Sequence, residues 1–458
     1  MSLMRDLRAE LPQLVRLALP LVVAELGWMA MGVVDTMMVG RVSKEALGGA
    51  AMGGILFYTV GVFGMGLLMG LDTVVSQAFG AGRIAECHRY LVSGTWLAAA
   101  LMLPMTGIVL ACLPMLEWAG VQPGVMAEAR PYTYAAAGSM GPLLLYTAFR
   151  RYLQSMNRVR VITAVLLSAN LINVAVNWLL IFGNWGFPRL GVAGAGWATT
   201  VSRVYMAVAL AVYIWRRAPA GLGEAGWKWE AGRVRELVRL GLPASAQMTL
   251  EVGIFGLSGL FVGKLPAEFL AAHQIALNVA SVSFMVPYGL SSAAAVRVGQ
   301  AVGRGDAAGA RHAGWTAIGL GGGFMALAGL SFVLFPREIG RAYTSDPAVL
   351  GTVVSLLWVA ALFQFFDGLQ GVATGALRGL GDTRTPALTH LAAYWAIGMP
   401  ASYWLCFRAG WNAVGVWSGL CLALVLIGIT LVAVWRHRAG ELRLSASYSE
   451  RLDRGGSF

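Results

Sequence analysis

Three carboxylates lie deep inside long apolar runs: Asp35 in "AMGVVDTMMVG" (30–40), Glu251 in "MTLEVGIFG" (248–256) and Asp367 in "FQFFDGLQG" (363–371). Ionised at the middle of a membrane helix, each costs about 2.5–3.5 kcal/mol, so such groups face a cavity or a partner and mark ion or proton paths. Arg203, in the run 192–215, is the one Lys or Arg that the sequence sets well inside such a run. The acids therefore need protons, metal cations or a cationic solute to neutralise them. A fourth acid, Glu25, fits a hydrogen-bonded structural role better, and Asp72 fits a cap or loop-binding role at a helix end.

Neutral polar residues are spaced to help. Asn170, Asn173 and Asn177 fall in "SANLINVAVNW" (168–178), and Asn173 and Asn177, four apart, share a helix face. Their amide oxygens suit a hard cation such as Na+ and suit interhelical hydrogen bonding equally. Thr199 and Thr200, in "GVAGAGWATT" (191–200), add hydroxyls on the next helix. His273 and His390 could relay protons, with hydrogen-bonded packing as the plainer role. Pro20 and Pro243 hold matching places in their runs and could bend them. Pro20 precedes Asp35 by about four turns, which makes it a candidate hinge; in a first helical turn it would merely be tolerated. The stretch "GLGGGF" (319–324) lies in an apolar run and reads as close helix packing rather than a phosphate loop. No Walker, HExxH or GxSxG pattern occurs, so neither ATP drive nor an enzyme is expected.

These residues require membrane helices to hold them. Of 458 residues, 58% are hydrophobic and 12% charged, and the mean hydropathy is +0.68; soluble domains are about a quarter charged. Twelve apolar runs are long enough to span a bilayer, from 14–38 to 413–435. Those at 129–148, 268–290 and 348–375 are the least uniform. With the N-terminus cytoplasmic, about three quarters of the 34 Lys and Arg residues fall on the cytoplasmic side, which predicts both termini inside. On this reading the net charge of +12 reflects topology rather than nucleic-acid binding. The four cysteines are far apart and read as apolar fillers.

The chain also repeats itself. "RLALP" (16–20) returns as "RLGLP" (239–243), "MVGRVSKEAL" (38–47) as "FVGKLPAEFL" (261–270), and "QAFGAGR" (77–83) as "QAVGRGD" (300–306), all at one offset of 223. The expectation is an all-α membrane protein of twelve helices in two six-helix bundles, parallel repeats about an axis along the membrane normal. Its parts are an N-lobe (1–215), a charged cytoplasmic linker (216–237), a C-lobe (238–438) and a polar tail (439–458) without regular structure.

Five motifs, "VDTMMVG", "QAFGAG", "GVAGAGWAT", "AAHQIALN" and "LRGLGDTRTP" (377–386), together resemble the multidrug and toxic compound extrusion (MATE) family, in its NorM-like branch, over residues 10–438. The resemblance implies an antiporter of the bacterial inner membrane with a central cleft. It would expel bulky cationic or aromatic drugs in exchange for Na+ or H+, with no cofactor. Its surroundings would be membrane lipid, with no nucleic-acid partner and a monomeric state. Asp35 matches the family's N-lobe carboxylate, with Asn173, Asn177 and Thr199 as its cation partners. Glu251 and Asp367 match the C-lobe acidic pair, so Na+ could bind at Asp35, Asn173 and Asn177 or at Glu251 and Asp367. Phe363 and Phe284 stand where some members carry tyrosine, and their rings could contact a cationic substrate. The alternative is a lipid-linked oligosaccharide flippase of the related superfamily. Its cavity should be cationic to meet pyrophosphate, whereas the charges inside these runs are acidic.

Overall fold

The computed structural model describes residues 2–217, 221, 223 and 226–455, with side chains from 10 to 442 within that set. Among them the regular structure is helical, without a strand. A helix satisfies its backbone hydrogen bonds internally, which crossing lipid demands. In order come α1 (Ser2–Val39), α2 (Lys44–Leu67), α3 (Gly70–Gly80), α4 (Ile84–Trp118), α5 (Pro123–Ala137), α6 (Met140–Ser155), α7 (Val159–Phe182) and α8 (Val192–Arg217). After residues 218–230 follow α9 (Ala231–Val262), α10 (Ala267–Gly303), α11 (Ala307–Leu334), α12 (Pro336–Arg341) and α13 (Pro347–Leu380). Last are α14 (Arg384–His390), α15 (Met399–Tyr403) and α16 (Asn412–Gly455).

Ten of the described stretches are long and apolar enough to span a membrane, α2 and α3 counting together. The runs at 129–148 and 387–407 complete the twelve in other ways. The first is broken where α5 and α6 meet at Gly138 and Ser139. Glycine weakens the helix, and the Ser139 hydroxyl donates to the Ala136 carbonyl at 2.6 Å in place of the helical pattern. The second passes through two π turns, Leu391–Gly398 and Trp404–Arg408, around α15. Pro400 supplies no amide there, and the wider turns keep the ladder closed: the Ala409 amide reaches the Trp404 carbonyl at 3.0 Å.

Two boundaries differ from the pattern of hydropathy. α1 begins at Ser2, well before the apolar run, so Pro20 lies inside a long helix and not in a first turn. α16 runs to Gly455, whereas residues 439–458 read as a tail without regular structure. Polar residues at a helix end carry no lipid-facing signal, yet they continue the ladder freely in water. Of the expected linker, residues 218–220, 222, 224 and 225 lie outside the described set, and residues 231–237 form the first turns of α9.

The sequence repeat is repeated in the backbone. The amides of Gly40, Arg41 and Val42 donate to the carbonyls of Thr36, Met38 and Val39 at 2.9, 3.3 and 2.9 Å. At the same offset, those of Gly263, Lys264 and Leu265 donate to Gly259, Phe261 and Val262 at 2.8, 3.2 and 3.0 Å. Further on, Arg83 and Asp306 each close a 2.9 Å bond to the carbonyl five residues back, around Gly82 and Gly305 at φ 73°. That left-handed conformation is what glycine permits at a helix end.

The chain forms two compact units. One comprises Met1–Val22, Gly80–Gly82 and Ala246–Phe458; the other comprises Val23–Phe79 and Arg83–Ser245. The boundaries fall inside α1 and α9, two residues after Pro20 and two after Pro243. In the first unit the start of α1 is held on α10: Arg297 donates its Nε and Nη2 to Glu10 at 2.7 and 2.9 Å. A Cβ on Gly289 would lie 2.9 Å from the Val22 nitrogen. In the second unit, at the repeat-related place, a Cβ on Gly66 would lie 2.5 Å from Ser245 Cα, and the Ser245 hydroxyl donates to the Phe63 carbonyl at 2.6 Å. Only glycine allows backbones so near. The core of the second unit includes Leu71, Leu91, Leu143, Leu144, Ile162 and Leu210.

Candidate functional site

In the second unit, four of the expected residues converge from three helices. Asp35 comes from the last turns of α1, Asn173 and Asn177 from one face of α7, and Thr199 from α8. Asn177 Nδ2 donates to Asp35 Oδ1 at 2.5 Å and to Asn173 Oδ1 at 3.1 Å. The Thr199 hydroxyl lies 3.2 Å from Asp35 Oδ2 and 3.1 Å from the Ala195 carbonyl, so its single proton is shared between two acceptors. Asn173 and Asn177 are fully buried, and Asn177 Oδ1 and Asn173 Nδ2 make no hydrogen bond. Unmet buried polar atoms are rare and need an account. Here an amide oxygen, two carboxylate oxygens and a hydroxyl oxygen form a set of hard donors that suits a small cation or a proton. Asn170 turns back to its own helix, donating to the Leu166 carbonyl at 3.0 Å. Thr200 bonds the Ala135 carbonyl at 2.8 Å. Neither is gathered to Asp35.

Arg203 lies one turn beyond Thr199. Its Nη1 donates to the Ser139 hydroxyl at 2.6 Å, and its guanidinium stands 4.5 Å from the Phe57 ring centre. The break between α5 and α6 thus supplies this cation with a polar partner, and the aromatic faces stabilise it further.

In the first unit, Glu251 on α9 and Asp367 on α13 belong to a second polar cluster. Asp367 is buried, and its Oδ1 accepts from Gln370 Nε2 at 2.9 Å. Gln370 Oε1 stands 2.9 Å from His390 Nε2, and Gln247 Nε2 stands 3.3 Å from the same ring nitrogen. Gln247 precedes Glu251 by one turn of α9. Tyr394 is fully buried with an unpartnered hydroxyl, its ring 5.8 Å from that of His390 and 6.5 Å from Phe255. Phe363 is 2% exposed and lies against Phe255 and Trp417, at 6.4 and 5.6 Å. It therefore belongs to a packed aromatic group. Phe284 is half-buried, near enough to Gly371 that a Cβ there would stand 3.3 Å from its ring. His273 accepts from the Trp417 indole at 3.0 Å, the packing role expected of an isolated helical histidine.

Arg203 is not the only base inside the fold. Arg150 and Arg151 on α6 are both buried, at 7% and 4% exposed. Arg150 pairs with Glu25, and Arg151 Nη1 with Asp72 Oδ2 at 3.1 Å. Glu25 and Asp72 are therefore neutralised within the protein, unlike Asp35 and Asp367. The sequence places "RRYLQ" after an apolar run, where arginines read as loop charges. Gln370, three residues after Asp367, and Gln247, four before Glu251, were visible as helical neighbours and were missed. Among the described residues no cluster of three or more His, Cys, Asp or Glu is placed to hold a metal ion.

The chain is similar to known proteins over nearly all of its length. The MatE family model matches residues 20–179 and 243–404, one block for each repeat. A probable multidrug resistance protein NorM of Mesorhizobium japonicum is 36% identical over 443 residues, 94% of either chain. A multidrug resistance protein NorM of Burkholderia vietnamiensis is 38% identical over 441 residues, again 94% of either chain. Among solved structures, the eukaryotic MATE transporter AtDTX14 superposes with a TM-score of 0.86 at 22% identity, covering 96% of this chain and all of the other. An outward-facing MATE transporter of the MOP superfamily gives 0.85 at 16% identity over 94% of this chain and 96% of the other.

Proposed function

Because the chain belongs to the MatE family, whose members here are multidrug efflux transporters, we propose that it exports bulky organic cations by antiport against Na+ or H+. The observation that carries this reading is Asp35, a membrane-embedded carboxylate with no ion pair of its own among the described residues, set beside an unused amide oxygen of Asn177. The coupling ion enters there from outside, taking Asp35, Asn173, Asn177 and Thr199 as its partners. Arg203, one turn away, opposes a resident cation and promotes its release. Glu251 and Asp367 receive the cationic drug or a competing proton in the C-lobe, with Phe284 beside them and Phe363 in the wall behind.

Drug and ion then take turns neutralising the acids. A ligand shifts a conformational equilibrium only through a difference in affinity between the two states, so each acid must be more accessible or more basic in one state than in the other. The membrane potential adds about 2.3 kcal/mol per charge per 100 mV. The bacterial relatives support a place in the inner membrane, and the distribution of Lys and Arg supports cytoplasmic termini. The acids Asp35, Glu251 and Asp367 inside the membrane helices weigh against the flippase alternative, whose cavity should be cationic.

Vesicles loaded with ethidium and given an imposed Na+ or H+ gradient test the proposal. Gradient-driven efflux should fall to background in Asp35→Asn and be lost or greatly reduced in Glu251→Gln and Asp367→Asn. Wild-type rates in all three variants would remove it.

A further inference from the structure

His390 lies in the membrane, fully buried, and its two ring nitrogens have unequal surroundings. Nδ1 stands 2.7 Å from the Pro386 carbonyl, which can only accept, so Nδ1 carries a proton. Nε2 has one partner of each kind: Gln370 Oε1, an acceptor, at 2.9 Å, and Gln247 Nε2, a donor, at 3.3 Å. A protonated Nε2 is satisfied by Gln370 and an unprotonated one by Gln247. The ring is thus equipped for both charge states without moving.

The acceptor belongs to the same amide whose other end bonds Asp367. An amide offers oxygen to one neighbour and nitrogen to the other. With Gln370 Nε2 donating to Asp367, its oxygen must face His390, and both ring nitrogens then meet acceptors. That arrangement corresponds to an imidazolium beside a carboxylate. If Asp367 instead holds the proton, Gln370 turns over: its oxygen accepts from the carboxylic acid, and its nitrogen faces a neutral ring. The two arrangements contain the same number of protons and differ only in where one resides.

We infer that His390 is a positioning residue for the C-lobe site, sharing one exchangeable proton with Asp367 through the Gln370 amide. The inference rests on the reading of Asp367 as a drug-binding acid. The titratable groups facing the ring are Asp367 beyond Gln370, Glu251 one turn beyond Gln247, and Tyr394 on its own segment. Toward α16, Asp382 and Arg438 pair with one another at 3.5 Å at the helix end. The π turn starting at Leu391 follows the ring directly, and such turns occur frequently at functional sites.

Two places for one proton raise the apparent proton affinity of the site above that of Asp367 alone. The proton, on either residue, opposes an organic cation at Asp367. Ethidium affinity should therefore weaken as pH falls, with a midpoint set by the pair. In His390→Gln, which keeps a donor for Gln370 but takes up no proton, that midpoint moves to lower pH, by about 0.3 unit for a proton shared equally between the two residues and by about one unit where His390 holds it nine times in ten. Gln370→Met, close in size, removes both the donor to Asp367 and the acceptor of His390, and in that background His390→Gln shifts the midpoint no further. The measurement is ethidium fluorescence anisotropy across pH on the full-length protein in detergent, each variant first passing size-exclusion and thermal-melting controls. Superimposable profiles for wild type and both single variants would overturn the inference while Asp367→Asn still loses binding. Unchanged binding and pH profile in Asp367→Asn would instead overturn the C-lobe reading and this inference together.

Discussion

Asp35 and Glu25 sit on one helix, ten residues apart, and neighbours alone distinguish them. Glu25 faces Arg150 in a buried ion pair; Asp35 faces two amides and a hydroxyl. Removing one partner of a buried pair strands the other charge and costs about 3–5 kcal/mol, whereas replacing both with apolar groups of similar size is often nearly neutral. Glu25→Gln should therefore lower the melting temperature markedly in detergent. Adding Arg150→Met should recover most of the loss, as thermal unfolding would record. At Asp35 the expected effect is on function. Asn177→Ala removes the 2.5 Å donor to the carboxylate. Hydrogen bonds to charged groups contribute about 1.5–3 kcal/mol, so the affinity for the coupling ion should change by about 10–100-fold with little change in melting. Isothermal titration with Na+ at fixed pH, and flux measurements against an imposed pH gradient, would reveal it. The legibility of these residues was uneven. An acid inside an apolar run is conspicuous because charge in lipid is expensive, and so is a pair of asparagines at helical spacing. The arginines that neutralise Glu25 and Asp72 follow the end of an apolar run, where a base is ordinary, and nothing local marks them as buried.

At the scale of the helix, the prolines of α1 and α9 gain meaning from their position. Each removes an interior hydrogen bond, and two residues beyond each the helix passes from one compact unit to the other. Pro20→Ala should strengthen α1, since proline in a helix interior is about 3 kcal/mol less favourable than alanine. A raised melting temperature with slower transport is expected; wild-type transport by this variant would exclude a hinge at Pro20. Close to these prolines, Gly289 admits Val22 and Gly66 admits Ser245. A methyl group at either glycine meets backbone, and overpacking of this kind costs about 1–3 kcal/mol. Gly66→Ala and Gly289→Ala should each lower the melting temperature by similar amounts, because the repeat places them equivalently. A loss in one and none in the other would count against equivalence. The broken element at Gly138 and Ser139 was legible only as an uneven apolar run. Its purpose emerges with Arg203, whose guanidinium bonds the Ser139 hydroxyl.

For the whole molecule, the duplicated chain offers two acidic clusters, one in each unit, which the proposed transport cycle employs in turn. Efflux measured against Na+ at fixed pH, and against pH without Na+, should resolve which ion drives the exchange. A Na+-driven exchanger keeps its rate when the pH gradient is collapsed by an ionophore, and a proton-driven one loses it. Single cysteines at Arg5 and Arg438 should react with a membrane-impermeant maleimide only from the cytoplasmic face. Labelling from outside intact cells would reverse the assigned orientation.

Membership of the membrane class, the twelvefold alternation, the duplication and the positions of the lone acids were all determined by the sequence alone. Each depends on a local quantity: transfer of a residue into lipid, spacing along one helix, or identity between two stretches of chain. Only the tertiary structure decided which acids have a base of their own, because Arg150 and Arg151 reach Glu25 and Asp72 from a helix distant in sequence. It also decided that His390 adjoins both Gln247 and Gln370, from segments 143 and 20 residues away. Neutralisation of a buried charge is settled by whatever lies within hydrogen-bond reach, and in a helical bundle that neighbourhood is set by packing rather than by order along the chain.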